Sequence, residues 1–202
     1  MDVLESIATV KQRYLRPTSK GVFNWLGKSE QSLERRLFET LVIQGKETPF
    51  ELRTIAKKMA VPPTELARAL FSLNRSESLS LLENGPSKHG KGWASEGMAE
   101  LSEMLALIAD PGQKIVLSSH DGFQLARVGY GLYEADVLSV QHSKAISEAS
   151  AVPYVAALHI GGRWFILSAS SSIDKGKQKW LDLAYLLLSF ANFNVNTDKE
   201  GA

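Results

Sequence analysis

The amino-acid sequence predicts an α+β protein, with a helical front half and a back half built on a small antiparallel sheet. Three segments between residues 29 and 76 repeat apolar side chains at helical spacing. Two Gly-containing turns, at 120–122 and 161–162, each join two apolar strand-like segments. The chain has 202 residues, 44% of them hydrophobic and 22% charged, which is typical of a globular protein with room for two small domains.

The pattern of breaks divides the chain into four parts. We expect an N-terminal helix and linker over 1–28, a first domain over 29–92, a second domain over 93–195 and a flexible tail over 196–202. Apolar side chains recur at near-helical spacing over residues 1–15 until Pro17 interrupts the pattern. The apolar segment 21–27 has no clear period, and we expect its aromatic side chains to pack against the domain that follows.

Residues 29–83 predict three helices and a strand. Ser29 or Ser32 caps the first helix, which carries Glu34 and Arg35 on its outside and ends near Gly45. Thr48-Pro49 supplies the cap and first position of a second helix that runs to about Ala60. Val61-Pro62-Pro63 separates it from a third helix, and residues 78–83 then alternate as a strand does before the Asn84-Gly85 turn. The side chains expected inside these helices are Leu33, Leu37, Leu41, Val42, Leu52, Ile55, Ala56, Met59, Leu66, Ala67, Leu70 and Leu73.

Three helices followed by a strand and a Gly-rich basic loop resemble winged-helix regulators, over residues 33–92. In a helix-turn-helix pair the second helix enters the major groove of DNA. That resemblance implies contacts to DNA from Lys57, Lys58, Thr64, Arg68, Arg75, Lys88, His89 and Lys91. The alternative is that the same fold binds protein and that these are ordinary solvated side chains, with Glu65 beside Arg68 opposing a phosphate.

The two halves differ in charge. Residues 1–92 hold 15 Lys and Arg against 10 Asp and Glu, whereas residues 93–202 hold 8 against 12. A net charge of about +5 on the front half and −4 on the back half indicates that the front half meets an anionic partner.

The back half predicts the order helix, hairpin, helix, hairpin, helix. The helices are expected over 95–109, 132–149 and 174–192, and the strands over 114–119, 123–128, 154–159 and 164–169. Such an order folds as an antiparallel sheet with helices packed on it.

The stretch 115–129, with its Asp121-Gly122 turn, resembles the opening hairpin of roadblock/dynein-light-chain domains. The resemblance covers residues 95–192 and implies a profilin-like sheet with flanking helices. It further implies a homodimer formed through the middle helix and an edge strand, which binds small Ras-like GTPases. That family has three strands after the middle helix where only two are visible here, although 151–154 is a candidate remnant whose Pro153 restricts it to an edge. GAF-like and other profilin-like sensor domains share the order and remain alternatives.

The middle helix carries more apolar surface than one sheet face needs. Ala135, Leu138, Ala145 and Ala149 form one stripe, and a second set lies beyond it: Val137, Val140 and Ile146. This second set predicts a dimer or partner surface. A helix tucked under the N-terminal segment is the alternative.

The sequence offers no set of residues suited to catalysis, and we expect neither an enzyme nor a cofactor. It has no cysteine and four histidines, none of them at the spacing of a helical metal pair. Residues 85–91 fit part of a phosphate-binding loop, but Gly92 stands where that loop needs Ser or Thr. Ser118-Ser119-His120-Asp121 holds the residue types of a hydrolase triad but is better interpreted as a hairpin turn. His142 is expected at a surface or interface and His159 partly buried.

These patterns favour a cytoplasmic, non-catalytic regulatory or scaffold protein. It has neither a leader-like N-terminus nor an apolar segment long enough to cross a bilayer. We expect it to pair with itself and to bind a small GTPase or another protein. The alternative is a dimeric winged-helix regulator that binds double-stranded DNA and uses its back half for dimerisation or sensing.

Overall fold

A computed structural model describes residues 13–44, 48–83, 98–144 and 154–197. It confirms the predicted α+β class, because two antiparallel sheets and seven helices make up this part of the chain. In order, the elements are β1 (Tyr14–Pro17), α1 (Ser19–Gly21, continued by a π-helical turn over Val22–Leu26), α2 (Leu33–Ile43), β2 (Thr48–Pro49), α3 (Leu52–Met59), α4 (Pro63–Arg75), β3 (Leu79–Leu82), α5 (Met98–Ile108), β4 (Ile115–Ser119), β5 (Gln124–Val128), α6 (Leu132–Lys144), β6 (Tyr154–Ile160), β7 (Arg163–Ala169) and α7 (Lys179–Thr197).

The front sheet has the order β2-β1-β3, with β1 in the middle. The helix predicted over 1–15 is wrong at its end, because Tyr14 and Leu15 pair with β2 on one side and β3 on the other. Pro17 lacks an amide hydrogen and restricts the chain before it to extended geometry, which suits the end of a strand. Residues 1–12 lie outside the described part of the chain.

Helices α2 and α4 pack on this sheet, and α3 packs on α4. The Ser32 hydroxyl accepts a hydrogen bond from the Arg35 amide at 3.2 Å, so Ser32 is the cap of α2, as predicted. The cap predicted at Thr48 is wrong, since Thr48-Pro49 forms β2 and α3 begins only at Leu52. In α4, Ala69 is buried and Ala67 is exposed, the reverse of what was expected for Ala67.

The back sheet has the order β5-β4-β7-β6 and is antiparallel throughout. Both predicted hairpins are confirmed. Gly122 has φ +87, and Gly161 and Gly162 have φ +57 and +78, a backbone region in which a side chain causes strain. Helices α5 and α7 cover one face of the sheet, and α6 covers part of the other.

One hydrophobic core runs through both halves, from Leu15 to Leu188. The Phe23 ring meets the Trp180 ring edge to face, with centroids 5.0 Å apart. The Ser19 hydroxyl donates to the Gly176 carbonyl at 3.1 Å, and the Trp25 indole donates to the Ser78 hydroxyl at 2.9 Å. The segment that was predicted as a linker therefore packs between the two halves.

The last helix lies later in the chain than predicted. It begins at Lys179 and reaches Thr197, beyond the expected end at Asn192. Lys177 precedes the helix and holds the end of α5, because its ammonium donates to the Ile108 carbonyl and pairs with Asp110 at 2.7 Å.

Candidate interaction surfaces

Helix α6 buries two polar side chains against the sheet and exposes a line of large apolar side chains, beside Glu134, Asp136 and Gln141. The side that packs on the sheet consists of Ala135, Ser139 and His142, each at most 1% exposed. These residues are spaced four and three apart, so they share one face of the helix. A helix on a sheet normally turns its largest apolar side chains inward, and α6 does not.

The sheet presents a matching polar surface to this helix. Ser118 and Ser168 are buried there, on the face opposite the large core of α5 and α7. The Ser168 hydroxyl shares a hydrogen bond with Nδ1 of His142. Burial lowers the pKa of His142 below its ordinary value of 6.5. His142 was expected at a surface or interface; it is buried between α6 and the sheet, because the helical phase aligns it with Ala135 and Ser139.

Several buried polar atoms on this face lack a hydrogen-bond partner among the described residues: Ser118 Oγ, Gln124 Oε1, Arg127 Nε and His159 Nδ1. The strand register places Ser118, Gln124 and Arg127 on the side of the sheet that α6 covers, since Gln124 pairs with Ser118 and Arg127 with Val116. An unsatisfied buried polar group costs about 1–3 kcal/mol. The contact between α6 and the sheet therefore stabilises the fold less than an apolar contact of the same area would.

The outer side of α6 carries large apolar side chains in solvent. Tyr133 is 81% exposed, Val140 51% and Val137 36%, and their spacing places them on one line opposite Ala135. Leu132 (60%) and Phe123 (70%) lie at the flank. The hairpin turn reaches this flank, because a Cβ built on Gly122 would lie 3.3 Å from the Val140 Cα. We call these five residues the α6 patch.

Two of the three residues predicted for a dimer or partner surface, Val137 and Val140, belong to this patch. Ile146, like Ala145 and Ala149, lies outside the described residues. Leu138 is half-buried, and the stripe that was expected to face the sheet includes it together with Ala135. Tyr133, Leu132 and Phe123 were missed. Tyr133 lies four residues before Val137, so helical spacing could have marked it, whereas Phe123 follows a turn and has no helical period to mark it.

The edge of β6 meets the front half of the same chain. The Arg35 guanidinium donates to the backbone carbonyls of His159 and Lys28, and its Nε pairs with Glu39 at 2.8 Å. A Cβ built on Gly27 would lie 3.6 Å from the Ala157 carbonyl oxygen. Residues 27 and 28 thus run beside this edge, and Arg35 caps its end.

Arg35 is 1% exposed, so the expectation that it lies on the outside of α2 was wrong. Helical phase places it near the boundary of the apolar face, and the back half then covers it. His159 is half-buried, as predicted; burial and the nearby Arg35 charge lower its pKa.

Helix α4 presents a second exposed line, formed by Thr64, Arg68, Phe71 and Arg75. Three of these four were predicted to contact DNA, and Lys57 and Lys58 are exposed on the adjacent α3. Lys88, His89 and Lys91, the predicted wing contacts, lie outside the described residues. Phe71, which is 69% exposed at the centre of the line, was not predicted as part of it.

The residues that imitate a hydrolase triad form a turn, as predicted. Ser118 faces α6, the Ser119 hydroxyl accepts from the Phe123 amide at 3.2 Å, and His120 lies 3.2 Å from Asp121 in solvent. Among the described residues, no group of three His, Asp or Glu side chains is arranged to hold a metal ion. The helices in this part of the chain are also too short or too polar to cross a membrane.

Comparison of the chain with protein-family models, with curated protein sequences and with solved structures yields no match in any of the three. The proposed function therefore rests on the exposed surfaces of α6 and α4.

Proposed function

We propose that this protein is a cytoplasmic, non-catalytic regulatory scaffold that forms a homodimer through the α6 patch. Its back half takes the role of a roadblock-like dimerisation domain, and a winged-helix-like front half extends the surface available to a small Ras-like GTPase or another protein partner. The order helix, hairpin, helix, two strands, helix in the back half supports this assignment.

The observation that carries the proposal is the reversed polarity of α6. Exposed apolar residues scattered singly are ordinary, but an aligned set opposite a polar buried face indicates a second buried surface. Taking about 150–250 Å² for a large side chain, the exposed parts of the five patch residues offer roughly 500 Å² per copy. A stable interface buries about 800 Å² per partner, so a polar rim around the patch completes it.

A second copy is the occupant that fits the patch best. A two-fold axis brings the same surface of two copies face to face, with residue i of one copy meeting residue j of the other and the reverse, which suits an apolar line and disfavours one that carries charges of a single sign. The β6 edge contributes less to pairing than the family resemblance implies, because Arg35 and residues 27–28 already lie against it.

Light scattering on the purified chain tests this proposal. We expect a dimer, and we expect Val137→Asp or Val140→Asp to yield a folded monomer, because a charge at the centre of the interface is buried without a partner. Ile43→Asp is the matched control, since Ile43 is 41% exposed in the front half. A wild-type monomer at high concentration, or dimers that survive both valine variants, would contradict the proposal.

Partner binding needs its own test. An affinity pulldown from the native lysate, with nucleic acid digested in half of the sample, separates protein partners from those bridged by DNA or RNA. Recovery of a GTPase in both halves supports the scaffold, whereas partners lost on digestion favour a nucleic-acid function.

The second candidate function is a dimeric winged-helix regulator that binds DNA. The exposure of Lys57, Lys58, Thr64, Arg68 and Arg75 on neighbouring helices favours it. Such binding should weaken steeply with salt, and Arg68→Ala should abolish sequence-specific shifts in gel mobility. Binding to no duplex at any salt concentration would exclude this candidate.

A further inference from the structure

The outer line of α4 combines an aromatic anchor with positive charge. Phe71 is 69% exposed, and Arg68 and Arg75 lie about one turn before and after it on the same side of the helix. Phe71 stands apart from the core-facing residues of α4, which are Leu66, Ala69, Leu70 and Leu73. This arrangement of a large ring between two guanidinium groups is typical of a protein-binding hot spot.

Helix α3, which packs on α4, is also rich in positive charge. Helix α3 adds Arg53, Lys57 and Lys58, all exposed. Within the described residues, neither these three nor the two α4 arginines form an ion pair with a carboxylate. The acidic residues at the starts of the two helices are Glu51 and Glu65. On these two helices, five cations without an ion pair among the described residues face two carboxylates, a balance that favours an anionic partner.

We propose that the outer line of α4 binds an acidic segment of a partner protein, with apolar side chains of that segment packing on Phe71 and its carboxylates pairing with Arg68 and Arg75. This inference rests on the proposed scaffold function and gives the chemistry of the partner, on a surface separate from the α6 patch. Arginine accepts a carboxylate through two parallel hydrogen bonds, which fixes the register of the bound segment.

An acidic protein segment fits this surface better than a DNA duplex does. A recognition helix enters the groove through its N-terminal residues, and Glu65 there repels phosphates. The exposed Phe71 ring stands where only a thymine methyl would offer it an apolar contact on DNA. A peptide with apolar side chains at helical spacing covers the ring and supplies the opposite charge in one contact.

Fluorescence anisotropy with labelled peptides on the full-length chain tests the proposal. The probe is an amphipathic peptide of Glu, Asp, Ala and Leu; two matched peptides carry Lys for the acidic residues or Ala for the leucines. We expect the first peptide to bind and both others to bind at least tenfold more weakly. Phe71→Ala and Arg68→Glu should each weaken binding at least tenfold, whereas Arg163→Ala, an exposed arginine of β7, should leave it unchanged.

The same experiments distinguish an acidic peptide from the other possible ligands of the α4 line, which are DNA and a second copy of the chain. Failure of the acidic peptide to bind, or binding that is equal in the wild type and both α4 variants, overturns the proposal. So does tight duplex binding that Arg68→Ala abolishes and Phe71→Ala leaves intact, which identifies DNA as the ligand. A dimer that dissociates on Phe71→Ala but survives Val137→Asp identifies the second copy as the occupant. A dimer lost on Val137→Asp with peptide binding intact separates the two surfaces and supports both proposals.

Discussion

The guanidinium of Arg35, in the front half, donates a hydrogen bond to the backbone carbonyl of His159, at the edge of the back sheet. The same side chain binds the Lys28 carbonyl and pairs with Glu39. One buried arginine thus joins α2, the segment before it and β6. It holds the front half against a strand edge that would otherwise be open to pairing with other chains.

Arg35→Ala should lower the free energy of unfolding by about 2–4 kcal/mol. The change removes a buried charge and leaves Glu39, 20% exposed, and two carbonyls without their donor. Chemical denaturation at neutral pH measures the loss. Arg36→Ala is the control, because Arg36 is the exposed neighbour on the same helix; its cost should stay below about 0.5 kcal/mol. Equal values for the two variants would show that Arg35 does not join the halves.

Ser118→Ala should raise the free energy of unfolding by about 1 kcal/mol. The Ser118 hydroxyl is fully buried and has no hydrogen-bond partner in the part of the chain that the structure describes, so its removal relieves a desolvation cost. Ser168→Ala should have the opposite sign and a similar size, because it breaks the hydrogen bond to His142. If Ser118→Ala destabilises the protein as much as Ser168→Ala does, the Ser118 hydroxyl has a hydrogen-bond partner in the native state. The claim that α6 is held only weakly on the sheet would then be wrong.

The stability of the protein should fall as the pH is lowered through the histidine range. Burial lowers the pKa of both His142 and His159 in the folded state, so the unfolded chain takes up protons first. The stabilising contribution is complete above about pH 6.5, declines below it and levels off once the pH has passed the folded pKa values. His142→Gln should reduce the slope between pH 7 and 5, measured by urea denaturation at each pH. An unchanged slope would mean that His142 is solvated in the native state.

The sequence predicts most elements of this fold but not the contacts that orient them. The turn at Gly122 and the cap at Ser32 follow from local chemistry, and both are confirmed. Arg35 was expected on the outside of its helix and His142 at a surface or interface. Helical periodicity marks only the main apolar face of a helix, and both side chains are buried by a second contact, Arg35 by the back half and His142 by the sheet. Tyr14 and Leu15 form a strand because β2 and β3 flank them, and these partners lie more than 30 and 60 residues further along the chain.

The candidate surfaces, like the fold, were predicted only in part from the sequence. Val137 and Val140 exceed what a sheet-covering helix needs, so sequence alone marks them. The sequence pattern does not mark Phe71 as exposed, since an apolar residue next to Leu70 can lie at the edge of the inner face of α4 or on its outer face. Its exposure emerges only once Leu70 and Leu73 fix the inner face of α4.

The central claim, that α6 joins two copies of the chain, is tested most directly by a single cysteine. The natural sequence has none, so Val137→Cys gives one thiol at the centre of the α6 patch, and Arg163→Cys gives one exposed thiol elsewhere in the same half. We place the two-fold axis at the centre of the α6 patch, where the two Val137 positions face each other within disulfide range. Under mild oxidation of dilute protein this predicts rapid conversion of the Val137→Cys chain to a disulfide-linked dimer, while the Arg163→Cys chain stays monomeric on a non-reducing gel. Equal and slow crosslinking of the two variants would contradict the claim.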